Sequence, residues 1–206
     1  MSLLDSIQQA QVAAAIQEVE RHTDAELVTV LARRADRYYF IPSLWAAMIA
    51  LLTPVILGLL PFWLSAMDLL IAQWLVFIVL AVLFRVPAIT MWLIPQWVAR
   101  GRAALLARDQ FIANNLHHTA GETGVLIFVS EAEHYVEIVA DRGISQHVAN
   151  SEWQAIVDAF ILRIKTGEVS EGFVECIESC GVLLRQYAPA SHDKNELPNH
   201  LVILDR

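Results

Sequence analysis

Gly121–Gly143, GETGVLIFVSEAEHYVEIVADRG, is the stretch that decides the fold. Within it, GVLIFVS (Gly124–Ser130) is a short, nearly continuous apolar run that reads as a strand. HYVEIVAD (His134–Asp141) alternates instead: Tyr135, Glu137 and Val139 point one way, Val136, Ile138 and Ala140 the other. The link SEAE is too short for anything but a tight reversal, so the two runs form an antiparallel hairpin, closed by Gly143 in DRGI.

Working outward, the flanks read as helices. NSEWQAIVDAFILRIKTG has a cap at Asn150 or Ser151, an acid at Glu152, a buried face of Trp153, Ile156, Val157, Phe160, Ile161 and Ile164, and a stop at Gly167. A last helix runs over about 170–186, with Phe173, Val174, Ile177, Leu183 and Leu184 inward. Upstream, 99–118 carries Leu105, Leu106, Phe111, Ile112 and Leu116 near helical spacing. At the start of the chain, Asp5–His22 reads as a helix with Val12, Ile16 and Val19 on one face. ELVTVLAR (Glu26–Arg33), rich in β-branched residues and apolar on both faces, then reads as a central, covered strand, and the tail HDKNELPNHLVILD ends in an edge strand, Leu201–Leu204. The implied fold is α/β: a small mixed sheet layered with helices.

One block does not belong to such a domain. Tyr38–Ala99 contains only two charged residues, Asp68 and Arg85. A helix needs about 20 apolar residues to cross the hydrocarbon core. Ser43–Trp63 satisfies that, and Met67–Ile89 does so if Asp68 and Arg85 reach outward. Backbone groups cannot go unpaired in lipid, so the block reads as a transmembrane helical hairpin. Trp45, Trp63, Trp92 and Trp97 sit where interfacial anchors belong, and Val86–Ala99 reads as an interfacial segment. Arg33, Arg34 and Arg37 precede the hairpin and Arg85, Arg100, Arg102 and Arg108 follow it, while the turn between the spans has no basic residue. The positive-inside rule then puts both long flanks, and both termini, in the cytoplasm. An even number of crossings lets residues 1–40 and 99–206 fold as one domain around the inserted segment 41–98, because loop-closure entropy rises slowly with length.

The overall numbers agree with this division. The chain has 206 residues, 56% of them hydrophobic and 17% charged, and a mean hydropathy of +0.48. A net charge of −8 gives no support to nucleic-acid binding. The N-terminus lacks the basic start and unbroken apolar run of a signal peptide. Cys176 and Cys180 lie four apart in CIESC and read as reduced, buried small residues.

The element order, the hairpin and the insertion together resemble the TPM domain family, known from thylakoid, photosystem II repair and nematode receptor-modulator proteins. The matching pieces are ELVTVLA after the first helix, TGVLIFVSEAEHYVEIVADRGI, and the two helices in WQAIVDAFILRIKTGEVSEGFVECIESCGVLL. Together they cover about 1–40 and 99–187. The double-spanning insertion and the NELPNHLV tail resemble a bacterial membrane branch, whose relatives often occur beside LemA-type membrane proteins. Family members include acid phosphatases and calcium binders. Its acidic residues after the first hairpin strand map to Glu131 and Glu133, and its glycine after the second maps to Gly143. Many members have a longer acidic-basic turn and a Gly-x-Gly ending where this chain has SEAEH and ADRGI.

Each candidate site has a plain reading beside the chemical one. Glu131 and Glu133, at a strand end, could hold Ca²⁺, which takes six to eight oxygens, or simply form a solvated turn. Arg33, Arg34 and Arg37 could bind anionic headgroups, or only set topology. Arg142 could bind an anion, or belong to a structural turn. The histidines, His117 and His118 among them, have no ligand spacing. The chain has no nucleophile elbow, Walker loop or zinc-protease motif. The sequence therefore predicts a bacterial inner-membrane protein whose cytoplasmic domain binds a membrane partner and helps assemble it. The alternatives are a weak metal-dependent phosphatase and a calcium or anion sensor.

Overall fold

Four strands form one mixed sheet: β1 (Glu26–Ala32), β2 (Gly124–Ser130), β3 (Tyr135–Ala140) and β4 (Leu201–Leu204). The structure is a computed structural model that describes residues 4–61, 63–119, 121–191 and 201–204. The strand order is β3-β2-β1-β4. β1 runs parallel to both β2 and β4, and β2–β3 is the antiparallel hairpin. β1 and β2 are buried along their whole length, as their unbroken apolar runs require. Leu201–Leu204 is the edge strand expected; the polar tail before it, including most of NELPNHLV, lies outside the described residues.

Alternation along the strands makes two cores. Leu27, Leu31, Val125, Ile127 and Val129 face one side with Val136 and Ile138, under α1 (Ser6–Glu20), α7 (Asn150–Lys165) and α8 (Val169–Tyr187). Val28, Val30, Leu126 and Phe128 face the other, under α5 (Gln96–Ala113). Helices on both faces explain why the central strands carry no polar side.

Local sequence sets the helix ends. Asp5 caps α1 by accepting the Gln8 N–H at 2.7 Å, and the Gln8 side chain returns a bond to the Asp5 N–H at 2.9 Å. α7 begins earlier than Asn150 or Ser151 as cap would imply, by one residue or two: Ala149 is the cap, and Glu152 accepts its N–H at 3.0 Å. The acidic half of a capping box suffices there. Gly167 follows α7 at φ +85°, the left-handed stop expected of it. Two expectations change. The buried stripe of α5 is Ala103, Leu106, Ala107 and Gln110, whereas Leu105 and Ile112 are exposed. Small alanines let the helix approach the sheet, so volume and not hydrophobicity chose the face. DRGI is also not a bare turn: Asp141 caps a short helix, α6 (Arg142–Ser145).

The chain divides into two compact units, Met1–Ala35 with Arg100–Arg206, and Asp36–Ala99. The first boundary falls before residue 40 because buried Tyr38 packs with Ile41, Ile94 and Ala99 inside the second unit.

That second unit contains two helices long and apolar enough to cross a membrane, α2 (Phe40–Gly58) and α3 (Ala66–Leu83). They are slightly shorter than Ser43–Trp63 and Met67–Ile89, and span about 27–29 Å at 1.5 Å per residue. They pack against each other, and Ala46 and Ala50, four apart, are buried on α2. No residue of α3 is buried. Ser65 caps its start and Asp68 completes the capping box: Asp68 Oδ2 accepts the Ser65 N–H at 2.9 Å and the Ser65 hydroxyl at 2.7 Å. The segment after α3 contains a helical turn, α4 (Pro87–Leu93), before α5 begins.

Candidate functional site

The acidic turn between β2 and β3 is built from the backbone. His134 donates to the Glu131 carbonyl at 3.1 Å, and His134 itself takes φ +49°. Two more bonds tie the turn to the end of β1: Glu131 N–H to the Ala32 carbonyl (3.0 Å) and Ala132 N–H to the Arg33 carbonyl (3.1 Å). The Glu133 carboxylate completes the latch. It accepts the Ala35 N–H at 3.0 Å and the Ser130 hydroxyl. Glu131 is exposed.

This donor set does not fit Ca²⁺. The ion takes six to eight oxygens, and Glu133 already accepts two hydrogen bonds from the protein. Among the described residues no three His, Cys, Asp or Glu side chains come together as a metal site. Asp141 lies at the far end of the hairpin, beside Gly124, as the antiparallel register requires.

A second feature lies along β3. A groove of about 570 Å³ runs beside Tyr135–Ile138. Its walls differ, because the strand sends alternate side chains to opposite faces. On the α5 side are Arg100, Tyr135 and Glu137; on the α7 side are Trp153, Val157 and Ile161. The Tyr135 hydroxyl donates to Glu137 Oε2 at 2.9 Å. Partial burial, followed by the bond and charge of Glu137, pushes the Tyr135 phenol well above its usual range, while Arg108 and Arg100 pull it back. Arg100 has no carboxylate partner among the described residues. Trp153 is 7% exposed and its indole N–H has no acceptor among the described residues, an arrangement that costs about 1–3 kcal/mol unless something supplies one.

Residues 98–182 match the family model described as the TPM domain. That segment carries a TPM domain. Its fold is similar to that of the BA42 protein from the psychrophilic bacterium Bizionia argentinensis, solved by NMR, with a TM-score of 0.61 at 20% identity. The similarity covers 98% of this chain and 96% of that one. No curated protein matches the chain.

The other predicted residues scatter over both units. Arg33 and Arg34 follow β1 in the first unit, whereas Arg37 belongs to the second and its N–H donates to Asp36 Oδ1 at 2.6 Å. Arg142 is exposed in the first turn of α6. Gly143 has a steric reason: a Cβ there would lie 2.3 Å from the Gly121 carbonyl oxygen. Trp63, Trp92 and Trp97 of the second unit are strongly exposed, and Trp45 is partly so. Cys176 and Cys180 are free thiols buried in the α8 face, and the neighbouring Cys176 together with burial pushes the Cys180 thiol up. Sequence reasoning placed Trp153 in the core and read Arg100 as a topology signal. Their meeting across β3 follows from strand order, which periodicity does not encode.

Proposed function

We propose that this is a two-pass protein of the bacterial inner membrane, with both flanks cytoplasmic, whose TPM domain binds a membrane-associated protein partner and helps assemble it. The observation that carries the reading is α3, an 18-residue apolar helix without one buried residue, in a chain that also carries a TPM domain. Residues such as Leu70, Ile71, Trp74, Leu75 and Ile78 are all more than half exposed, an apolar surface that water would not tolerate at this extent. Lipid satisfies it, and the arginine distribution orients it. A LemA-type membrane protein is the first partner to test, because of the family resemblance.

The test is capture from native membranes with a tag after Arg206. A stoichiometric membrane protein is the expected result. Metal-dependent hydrolysis of a phosphomonoester by the purified protein, lost in Glu131→Gln, would instead make the domain an enzyme. A C-terminal reporter that proves to be exported would overturn the orientation.

A further inference from the structure

Among the described residues the outer edge of β3 is open. Asp141 donates to the Gly124 carbonyl at 2.8 Å, and with the β2–β3 register this fixes the alternation along the strand. Tyr135, Glu137 and Val139 turn their backbone groups toward β2, so Val136 and Ile138 turn theirs outward. No backbone partner meets those outward groups among the described residues. Sheets usually blunt such an edge with lysine, proline or a bulge. Tyr135–Ala140 has neither residue, and its register runs without interruption.

The groove beside this edge has chemistry on both walls. Among the described residues, Arg100 lacks a carboxylate on one side, and Trp153 offers a buried N–H without an acceptor beside Val157 and Ile161 on the other. We propose that the groove accepts an extended segment of a partner protein as an added strand on β3, its carboxylates facing Arg100 and its alternate apolar side chains resting on Trp153, Val157 and Ile161. Main-chain bonds to Val136 and Ile138 hold such a segment, and alternating side chains select it. Charge argues for a foreign acidic segment over a second copy of this chain. Glu137, the one carboxylate on β3, already takes the Tyr135 hydroxyl, so another β3 brings no free acid to Arg100.

This inference rests on reading the TPM domain as a binding module, and names where and what it binds. The test uses the full chain in detergent micelles and a fluorescein-labelled nine-residue peptide alternating valine and aspartate. A valine–lysine peptide and an N-methylated valine–aspartate peptide serve as controls. Saturable binding of the aspartate peptide is expected, at least tenfold weaker for both controls. Arg100→Glu reverses the aspartate-over-lysine preference, and Ile138→Pro abolishes binding; if the latter does not fold, the N-methylated peptide makes the same point. Equal binding of the methylated peptide, indifference to Arg100→Glu, absence of saturation at millimolar peptide, or a dimer that protects β3 amides from exchange would each overturn the groove. A membrane partner captured equally well by wild type and Arg100→Glu would also overturn it, while leaving the binding-module reading intact.

Discussion

The two units of this chain treat apolar residues in opposite ways. In the sheet unit Phe128, Phe160, Phe173 and Ile177 are almost wholly buried against other side chains. In the hairpin unit Leu70, Ile71, Leu75 and Ile78 stand open. The first unit supplies its own apolar environment, and the second leaves these side chains uncovered among the described residues. The same residue types therefore carry different energies in the two places, and substitutions can expose the difference.

The largest effect belongs to the sheet unit. Phe173 is fully buried and meets Phe160 edge-on at 4.9 Å between ring centroids. Phe173→Ala should cost about 3–5 kcal/mol in a denaturant titration of the micelle-bound protein. Leu75→Ala, at 59% exposure on α3, should cost no more than about 0.5 kcal/mol in the same assay. Equal losses would erase the contrast between the units.

A charge reverses the ranking. Ile78→Arg should disfavour membrane insertion by about 3 kcal/mol, read as the inserted fraction in a translocon assay. Leu105→Arg, on the exposed face of α5, should leave folding and insertion unchanged. If Ile78→Arg inserts like wild type, the hairpin does not meet lipid.

Glycines sharpen the comparison on a smaller scale. Gly143→Ala forces a Cβ against two carbonyl oxygens, at 2.3 and 2.7 Å, and should destabilise by about 1–3 kcal/mol. At Gly58, at the end of α2, a Cβ meets nothing within 4 Å, so Gly58→Ala should be neutral or slightly stabilising. Denaturant midpoints of the two variants decide this.

The smallest effect is alkaline. The folded pKa of Tyr135 is raised by burial first and then by Glu137, so the folded state holds its proton longer than the unfolded chain does. The associated stability is fully present below the unfolded value of about 10 and is lost as pH rises through the folded value. Tyr135→Phe should flatten that alkaline decline relative to wild type, with the two profiles running parallel at about pH 8 and below. Profiles that stay parallel above that pH as well would remove Tyr135 from the alkaline slope.

Much of this was legible from local pattern. Val136 and Ile138 facing one core while Tyr135 and Val139 face the other is the two-residue period of a strand, and Val12, Ile16 and Val19 follow the helix period. Where the reading slipped, packing had overruled hydrophobicity, as on α5, where Ala103 and Ala107 face the sheet and Leu105 does not. The acidic turn shows the same limit. Glu131 and Glu133 read alike as carboxylates at a strand end, yet only Glu133 reaches back to Ala35 and Ser130.

The sequence by itself determined where the apolar hairpin lies, which residues build the strands, and the antiparallel pairing of β2 with β3, because each depends on neighbours within a few residues. Tertiary structure decided that β1 sits between β2 and β4 and that β3 is left at the edge. It also brought Arg100 to one side of that edge and Trp153 to the other. Those outcomes depend on contacts between residues far apart in the chain, where no short-range period carries the information.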